Sequence, residues 1–267
     1  DANWAAAGHE IAWEQFVLEP KTYSEISIDT PVTVEETDAS ITVINDEYKV
    51  GFDKATGALN SYVVDGQELI QSPIQPNFWR VPTDNDLAWK MPEMSGAWKA
   101  AAATAELDKM DVIKDADKGL TVNATYNLME GKGKVYMEYY VMANGTVSAK
   151  ATFEPKADDL PNLPRFGVQL AIPATYQAIE YYGKGPHESY IDRNLGNKMG
   201  IYQQTIADWN TPYIRPQENG NRSSIKWINF TNDQGLGLKI EGQNLNITAH
   251  DYTPADLEAA RHTVDLP

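Results

Sequence analysis

The stretch "LTVNATYNLMEGKGKVYMEYYVMANGTVSAKATFE", residues 120–154, decides the fold. In its first nine residues the even positions Leu120, Val122, Ala124, Tyr126 and Leu128 are apolar or aromatic, and the odd positions Thr121, Asn123, Thr125 and Asn127 are polar. Side chains alternate across a strand, so this pattern predicts a half-buried strand with one wet face. "TVSAKATFE" (146–154) repeats it, with Val147, Ala149, Ala151 and Phe153 on one side. Between them "KVYMEYYVM" (134–142) is apolar on both faces, as a central strand is. The glycines of "EGKG" (130–133) and "ANG" (143–145) suit hairpin turns. Residues 119–154 are predicted to form an antiparallel meander.

Working outward, further strands are predicted at 41–50, 58–64, 165–172, 178–182, 197–204, 224–231, 235–241 and 244–251, with turns at "DKATG" (53–57) and "NDQG" (232–235). Helical signal is sparse. The alanines of 96–107 predict one short helix. Residues 253–262 predict another, with Thr253 as N-cap, Pro254 in the first turn and Asp256 closing a capping box. The fold class is therefore all-β, a large antiparallel sandwich with few short helices. Residues 20–38, rich in Thr, Ser, Glu and Pro, read as a linker. Residues 1–19 read as the last strand of a preceding domain, with Ile11, Trp13 and Val17 as apolar anchors, and 39–267 as the main domain.

Bulk composition narrows the partners. The chain of 267 residues is 42% hydrophobic and carries a formal charge of −16. That balance opposes binding to nucleic acid, whose phosphates demand clustered Lys and Arg, and to anionic membranes. There is no cysteine, which excludes disulfides, thiolate metal sites and a cysteine nucleophile. The four histidines are scattered without metal-ligand spacing, and "TDND" (83–86) lacks the glycine and distal glutamate of a calcium loop. No metal site is expected.

Three segments combine aromatics with charge: "PNFWRVPTDNDLAW" (76–89), "YYGKGPHESYIDR" (181–193) and "TPYIRPQENGNR" (211–222). Aromatic faces beside carboxylates and amides are what a sugar site needs. The same residues also suit a structural role, with Arg193 and Arg222 pairing with Glu188 and Glu218 to pin long crossings. Trp89, Trp98, Trp209, Tyr182 and Tyr213 are candidates for an aromatic platform in a carbohydrate-binding module. His187 with Glu188 and Glu218 offers an acid and bases for a sugar mutarotase or epimerase. Adjacent strand residues point to opposite faces, however, so His187 and Glu188 are not expected to converge.

In their order and separation, "PNFWRVPTDND", "YGKGPHESYIDR" and "TPYIRPQENGNR" resemble the C-terminal sandwich domain of the large multidomain bacterial β-galactosidases, glycoside hydrolase family 2. "AAGHEIAWEQFVL" (6–18) resembles the end of the immunoglobulin-like β-sandwich domain that precedes it there. The resemblance implies a galactose mutarotase-like supersandwich, truncated here before its final strands. It implies that the two catalytic glutamates lie on a TIM barrel outside this sequence, so that no residue of this chain is catalytic. Magnesium and sodium are implied for the whole enzyme and no cofactor for this part. The partner implied is the rest of the enzyme chain, with β-galactosides such as lactose as substrate of the whole and a homo-oligomer possible through exposed apolar surface. The compartment stays open between bacterial cytoplasm and periplasm.

The loop after "FWRVPTDND" is implied to border the mouth of the sugar site. Phe78 and Trp79 are expected to anchor its base, and Arg80, Asp84, Asn85 and Asp86 to hold its shape. Leu87 to Met94, with Trp89, is expected to be its moving part. "LAWKMPEMSG" lacks the glycine usual soon after Asp-Asn-Asp.

Overall fold

The computed structural model describes residues 3–18, 32–115 and 119–267. Along the chain come strands β1 (Thr33–Glu36), β2 (Ser40–Ile44), β3 (Tyr48–Asp53), β4 (Leu59–Val64), β5 (Gln67–Glu68) and β6 (Gln75–Asn77). Three short helices follow: α1 (Asp84–Ala88), α2 (Met91–Ser95) and α3 (Ala97–Ala101). The meander is β7 (Glu106–Asp115), β8 (Gly119–Leu128), β9 (Gly133–Met142) and β10 (Val147–Pro155). Then come β11 (Gly167–Gln169), β12 (Ala178–Gly185), β13 (Lys198–Thr205), α4 (Ile206–Trp209), β14 (Arg222–Thr231), β15 (Gly237–Ile247) and α5 (Pro254–Ala259). All pairing is antiparallel, in sheets ordered β1-β2-β3-β4-β5, β10-β9-β8-β7, β11-β6 and β13-β12-β14-β15. The chain is thus an all-β antiparallel sandwich with short helices, as the alternation predicts.

The first two sheets face each other. Ile41, Val43, Val50 and Phe52 on one side meet Leu120, Val122, Val135, Met137, Tyr139 and Val141 on the other in a single buried cluster. The Phe52 and Tyr139 rings pack edge to face at 5.3 Å. Tyrosines at the cluster's border turn their hydroxyls to backbone carbonyls across the layers, Tyr62 to Gly145 at 2.8 Å and Tyr126 to Thr56 at 2.8 Å. Each ring is thereby buried while its polar tip keeps a partner. The sheet β13-β12-β14-β15 builds a second cluster from Ile179, Tyr181, Ile225, Ile228 and Phe230, closed by Trp209 and Ile206 of α4. Tyr62 and Val64 of β4 pack against both clusters and join them.

The differences from the sequence reading have local causes. The single strand expected at 41–50 is two, because the Asn45 side chain accepts from the amides of Glu47 and Tyr48 and turns the chain. The strands expected at 235–241 and 244–251 are one, β15, which passes Asn244 in a left-handed conformation. The helix expected over 96–107 stops at Ala101. Leu107, Met110 and Val112 gain more by packing on the first core, as a strand beside β8, than alanine propensity offers a helix. The strand expected over 165–172 is reduced to β11, paired with β6. Helix α5 has its expected capping box at Thr253 and Asp256 and ends at Ala259.

The N-terminal segments also differ in local structure from the sequence reading. The linker reading ran to residue 38, but Thr33–Glu36 pairs with β2; residues 20–31 lie outside the described residues. Residues 3–18 form no named strand. Ile11 and Val17 are exposed rather than anchored, with no apolar layer of the described residues over them. The segment rests on β13: the Gln15 side chain donates to the Met199 carbonyl and accepts its amide, at 2.9 and 2.6 Å, and Lys198 lies over the Trp13 ring.

Phe78 is the hub of an aromatic knot with Trp98 at 5.5 Å, Phe166 at 5.8 Å and Phe153 at 6.0 Å. It ties the helices to the meander. Phe78→Ala is expected to lower unfolding free energy by about 3–5 kcal/mol, the usual cost of emptying a phenylalanine site. Urea denaturation measures this, and a loss below about 1 kcal/mol would deny the knot that role.

Candidate functional site

The segment 76–89 begins as strand and ends as helix. Strand β6, with Pro76 inside it, ends at Asn77, and the chain runs without regular structure to Thr83. Thr83 then caps α1, its hydroxyl accepting from the Asp86 amide at 3.2 Å while the Asp86 carboxylate accepts from the Thr83 amide at 3.0 Å. Arg80 donates to the other Asp86 oxygen at 2.7 Å. Phe78 and Trp79 are buried, and the Trp79 indole N–H donates to Glu258 Oε1 at 2.7 Å, with Lys99 on the second oxygen. The expected anchor is therefore present, and α5 supplies an acid to it that the sequence reading missed.

Asp84 points away from this base toward the 211–222 loop. Its carboxylate accepts from Arg215 Nε at 2.6 Å and from the Gln217 side-chain amide at 3.0 Å, while its own N–H donates to Gln217 Oε1 at 3.1 Å. Arg215 also donates to the Pro82 carbonyl at 2.9 Å. Arg215, then Gln217, hold the Asp84 carboxyl below the usual aspartate range. Between this clamp and Glu258 lies a cleft of about 270 Å³ lined by Trp79, Val81, Leu87, Lys99 and Arg215.

The residues beyond Asp86 form a helical arm rather than an open loop. Its corner is Lys90, in a left-handed conformation at φ 57° and ψ 37°. Backbone bonds hold that corner on both sides: Lys90 N–H to Leu87 O, and the Glu93 and Met94 amides to Lys90 O. Asn85 is exposed, and its carbonyl accepts the Trp89 amide. The arm turns Leu87, Met94 and Trp89 to solvent, Trp89 with 77% of its surface free.

Loops 181–193 and 211–222 meet at Glu188, whose side chain is only 8% exposed. One oxygen accepts from Arg193 at 2.7 Å and from the Tyr213 hydroxyl; the other accepts the Gly220 amide at 2.8 Å. Burial alone would raise this carboxyl, but Tyr213, Gly220 and Arg193 together outweigh it and hold it below the usual glutamate range. Gly220 sits at φ +78°, and a side chain there would strike the Trp209 carbonyl. Nearby His250 stacks on Tyr252 at 4.8 Å, and burial draws its imidazole down to about 4.

The expected pairing of two arginines with two glutamates is half right. Arg193 pairs with Glu188. Glu218 is met instead by Arg165 at 2.6 Å. Arg222 is buried with no carboxylate: it donates to the Gly220 carbonyl at 3.0 Å and to Gln204 at 3.3 Å, and it stacks on Trp209. Burial accordingly draws its guanidinium below the ordinary arginine range. His187 is exposed while Glu188 is clamped inward, so the two do not form an acid–base pair for a mutarotase. The aromatic platform is not assembled either, because Trp98 and Trp209 are core residues. Arg165, Arg215, Gln217 and His250 were not singled out in the sequence, and their partners lie up to 133 residues away.

A sandwich whose three charged loops are locked together around a presented aromatic arm defines a class: a β-sandwich body with one built loop face. The family described as Beta galactosidase small chain matches residues 44–267. This chain belongs to that family. Among curated relatives it is 34% identical over 270 residues to the beta-galactosidase of Priestia megaterium, covering 100% of this chain and 26% of that protein. It is 30% identical to the beta-galactosidase of Halalkalibacterium halodurans, covering 100% of this chain and 27% of that protein. It is 32% identical to that of Lactobacillus delbrueckii subsp. bulgaricus, covering 100% and 26%. The chain thus spans about a quarter of the length of these relatives.

Glu188 generates a stability prediction with a defined sign. Its folded pKa lies below its unfolded value, so its contribution is complete above the ordinary glutamate range and is lost as pH falls through the lowered folded value. Glu188→Gln is expected to cost roughly 1–3 kcal/mol at pH 7, and the gap to the parent protein should close on acidification. Urea titrations across that range check it; a gap independent of pH would contradict it.

Proposed function

We propose that this chain is a non-catalytic body of a β-galactosidase that hydrolyses terminal β-D-galactosides such as lactose. In this reading the reacting glutamates lie on a barrel outside this sequence, and the α1–α2 arm borders the mouth of the sugar site. The observation that carries it is the match along the whole chain to proteins named beta-galactosidase, of which it spans about a quarter. The structure supports it from the other side. Glu188 and Glu218 are each committed to an arginine, and Asp84 to Arg215. These acids hold loops in shape and are not free to attack a sugar. Among the described residues no group of three or more His, Asp or Glu side chains is placed to hold a metal. We place the magnesium and sodium implied by the family resemblance with the remainder of the enzyme, together with the partner surface for Trp89.

Two measurements test this. The purified chain incubated with o-nitrophenyl β-galactoside is expected to give no turnover above the buffer rate. Turnover that survives repurification and falls with Glu188→Gln would refute the assignment. In the assembled enzyme, Trp89→Ala or Arg215→Ala is expected to lower kcat/KM by roughly tenfold through misplacement of the arm. Unchanged kinetics for both variants would remove the arm from the site.

A further inference from the structure

The outer face of the β13-β12-β14-β15 sheet serves neither core. Strand alternation settles what stands on it. Tyr181 and Ile228 are fully buried, so their neighbours Tyr182 and Trp227 point outward. Tyr182 is in register with Ile201 on β13 and with Trp227 on β14, and Trp227 with Glu241 on β15. One row therefore runs Ile201, Tyr182, Trp227, Glu241 across four strands. Strands lie about 4.8 Å apart, so the first three residues make an aromatic and apolar strip roughly 10 Å across. Ile201 is 65% exposed and Tyr182 36%. The adjoining row is polar, with Gln203, Glu180, Asn229 and Lys239 in register. Gln203 donates to Glu180 at 2.7 Å, and Lys239 pairs with Glu241.

We propose that this face is a saccharide-binding platform that takes a short run of neutral pyranose units. The C–H face of a sugar ring would lie on Trp227 and Tyr182, and its hydroxyls would meet Glu180, Gln203, Asn229 and Lys239, which offer both donors and acceptors. Size argues for a small ligand over a second copy of the chain. A stable protein interface buries about 800 Å² per partner. The apolar strip of three side chains would contribute at most about 450–750 Å² even if fully covered, below that figure. Charge argues for a neutral ligand. Lys239 is matched by Glu241, and the row holds no cluster of cations to attract phosphate. This inference does not rest on the proposed hydrolase role, and its residues are separate from the arm at Trp89.

The test is a titration of the full chain with lactose and with β-1,4-linked galactotriose, followed by tryptophan fluorescence and by amide chemical shifts. Saturable binding with a Kd around the millimolar range is expected, with shifts centred on 180–182, 201–203 and 227–229. Trp227→Ala should weaken it at least about tenfold and Tyr182→Ala about fivefold, with unchanged melting temperature, while a change at the exposed Trp4, Trp4→Ala, leaves it intact. Should Trp227→Ala melt early, Ile201→Arg on the exposed edge strand takes its place and should block binding. No saturable change up to about 50 mM sugar, or binding retained by both Trp227→Ala and Ile201→Arg, overturns the proposal. So does a dimer seen by light scattering that vanishes in Trp227→Ala, which would give this face to a second copy instead.

Discussion

A carboxylate taken out of water must be met by donors, and in this protein that carboxylate is Glu188. Arg193 comes from its own loop, and Tyr213 and the Gly220 amide come from the next long connection. Satisfying one acid therefore welds two loops that flank β13 and α4. The weld fixes the path of residues 211–222, and with it Arg215 and Gln217, which reach across to Asp84. Asp84 opens α1, so the position of the helical arm follows from a glutamate far from it in sequence. Glycine is required at 220 for the same reason: the chain must pass against Trp209 to bring its amide to the acid.

The sheets provide the rigid ground for this. Two apolar clusters meet at Tyr62 and Val64, so the loop-bearing sheet does not ride free of the paired sheets beneath. The helices are too short to persist alone, since nucleation of a single turn is unfavourable. Helices α1, α4 and α5 each begin with the same device, a threonine and an aspartate three residues on: Thr83 and Asp86, Thr205 and Asp208, Thr253 and Asp256. Short elements are thereby started at defined residues and held by what they pack against, Trp209 inside the second core and Trp98 inside the first.

The meander was legible because β8 has one wet face and its polar positions stay at period two from end to end. Strand β7 was not, because "ELDKMDVIKD" carries charge at most positions and follows a run of alanines; only its register with β8 reveals an apolar side. The loop motifs were legible as chemistry but not as partners. Arg193 lies five residues from Glu188 and was paired correctly, whereas Glu218 is met by Arg165, 53 residues away. Nothing local marks that choice. The aromatic platform was drawn from residue types without regard to facing, and so it mixed core with surface. Trp209 is shut into the second cluster, while Tyr182, one residue past buried Tyr181, stands outside beside a Trp227 that was passed over.

The corner at Lys90 carries a last consequence. A lysine reaches the small left-handed basin only at a cost relative to its β and right-handed basins, and here backbone hydrogen bonds on both flanks hold it there. The most exposed tryptophan of the protein thus stands on a stiff elbow. Whatever surface Trp89 touches meets a limb whose shape is decided before contact, with little freedom left to surrender in the encounter.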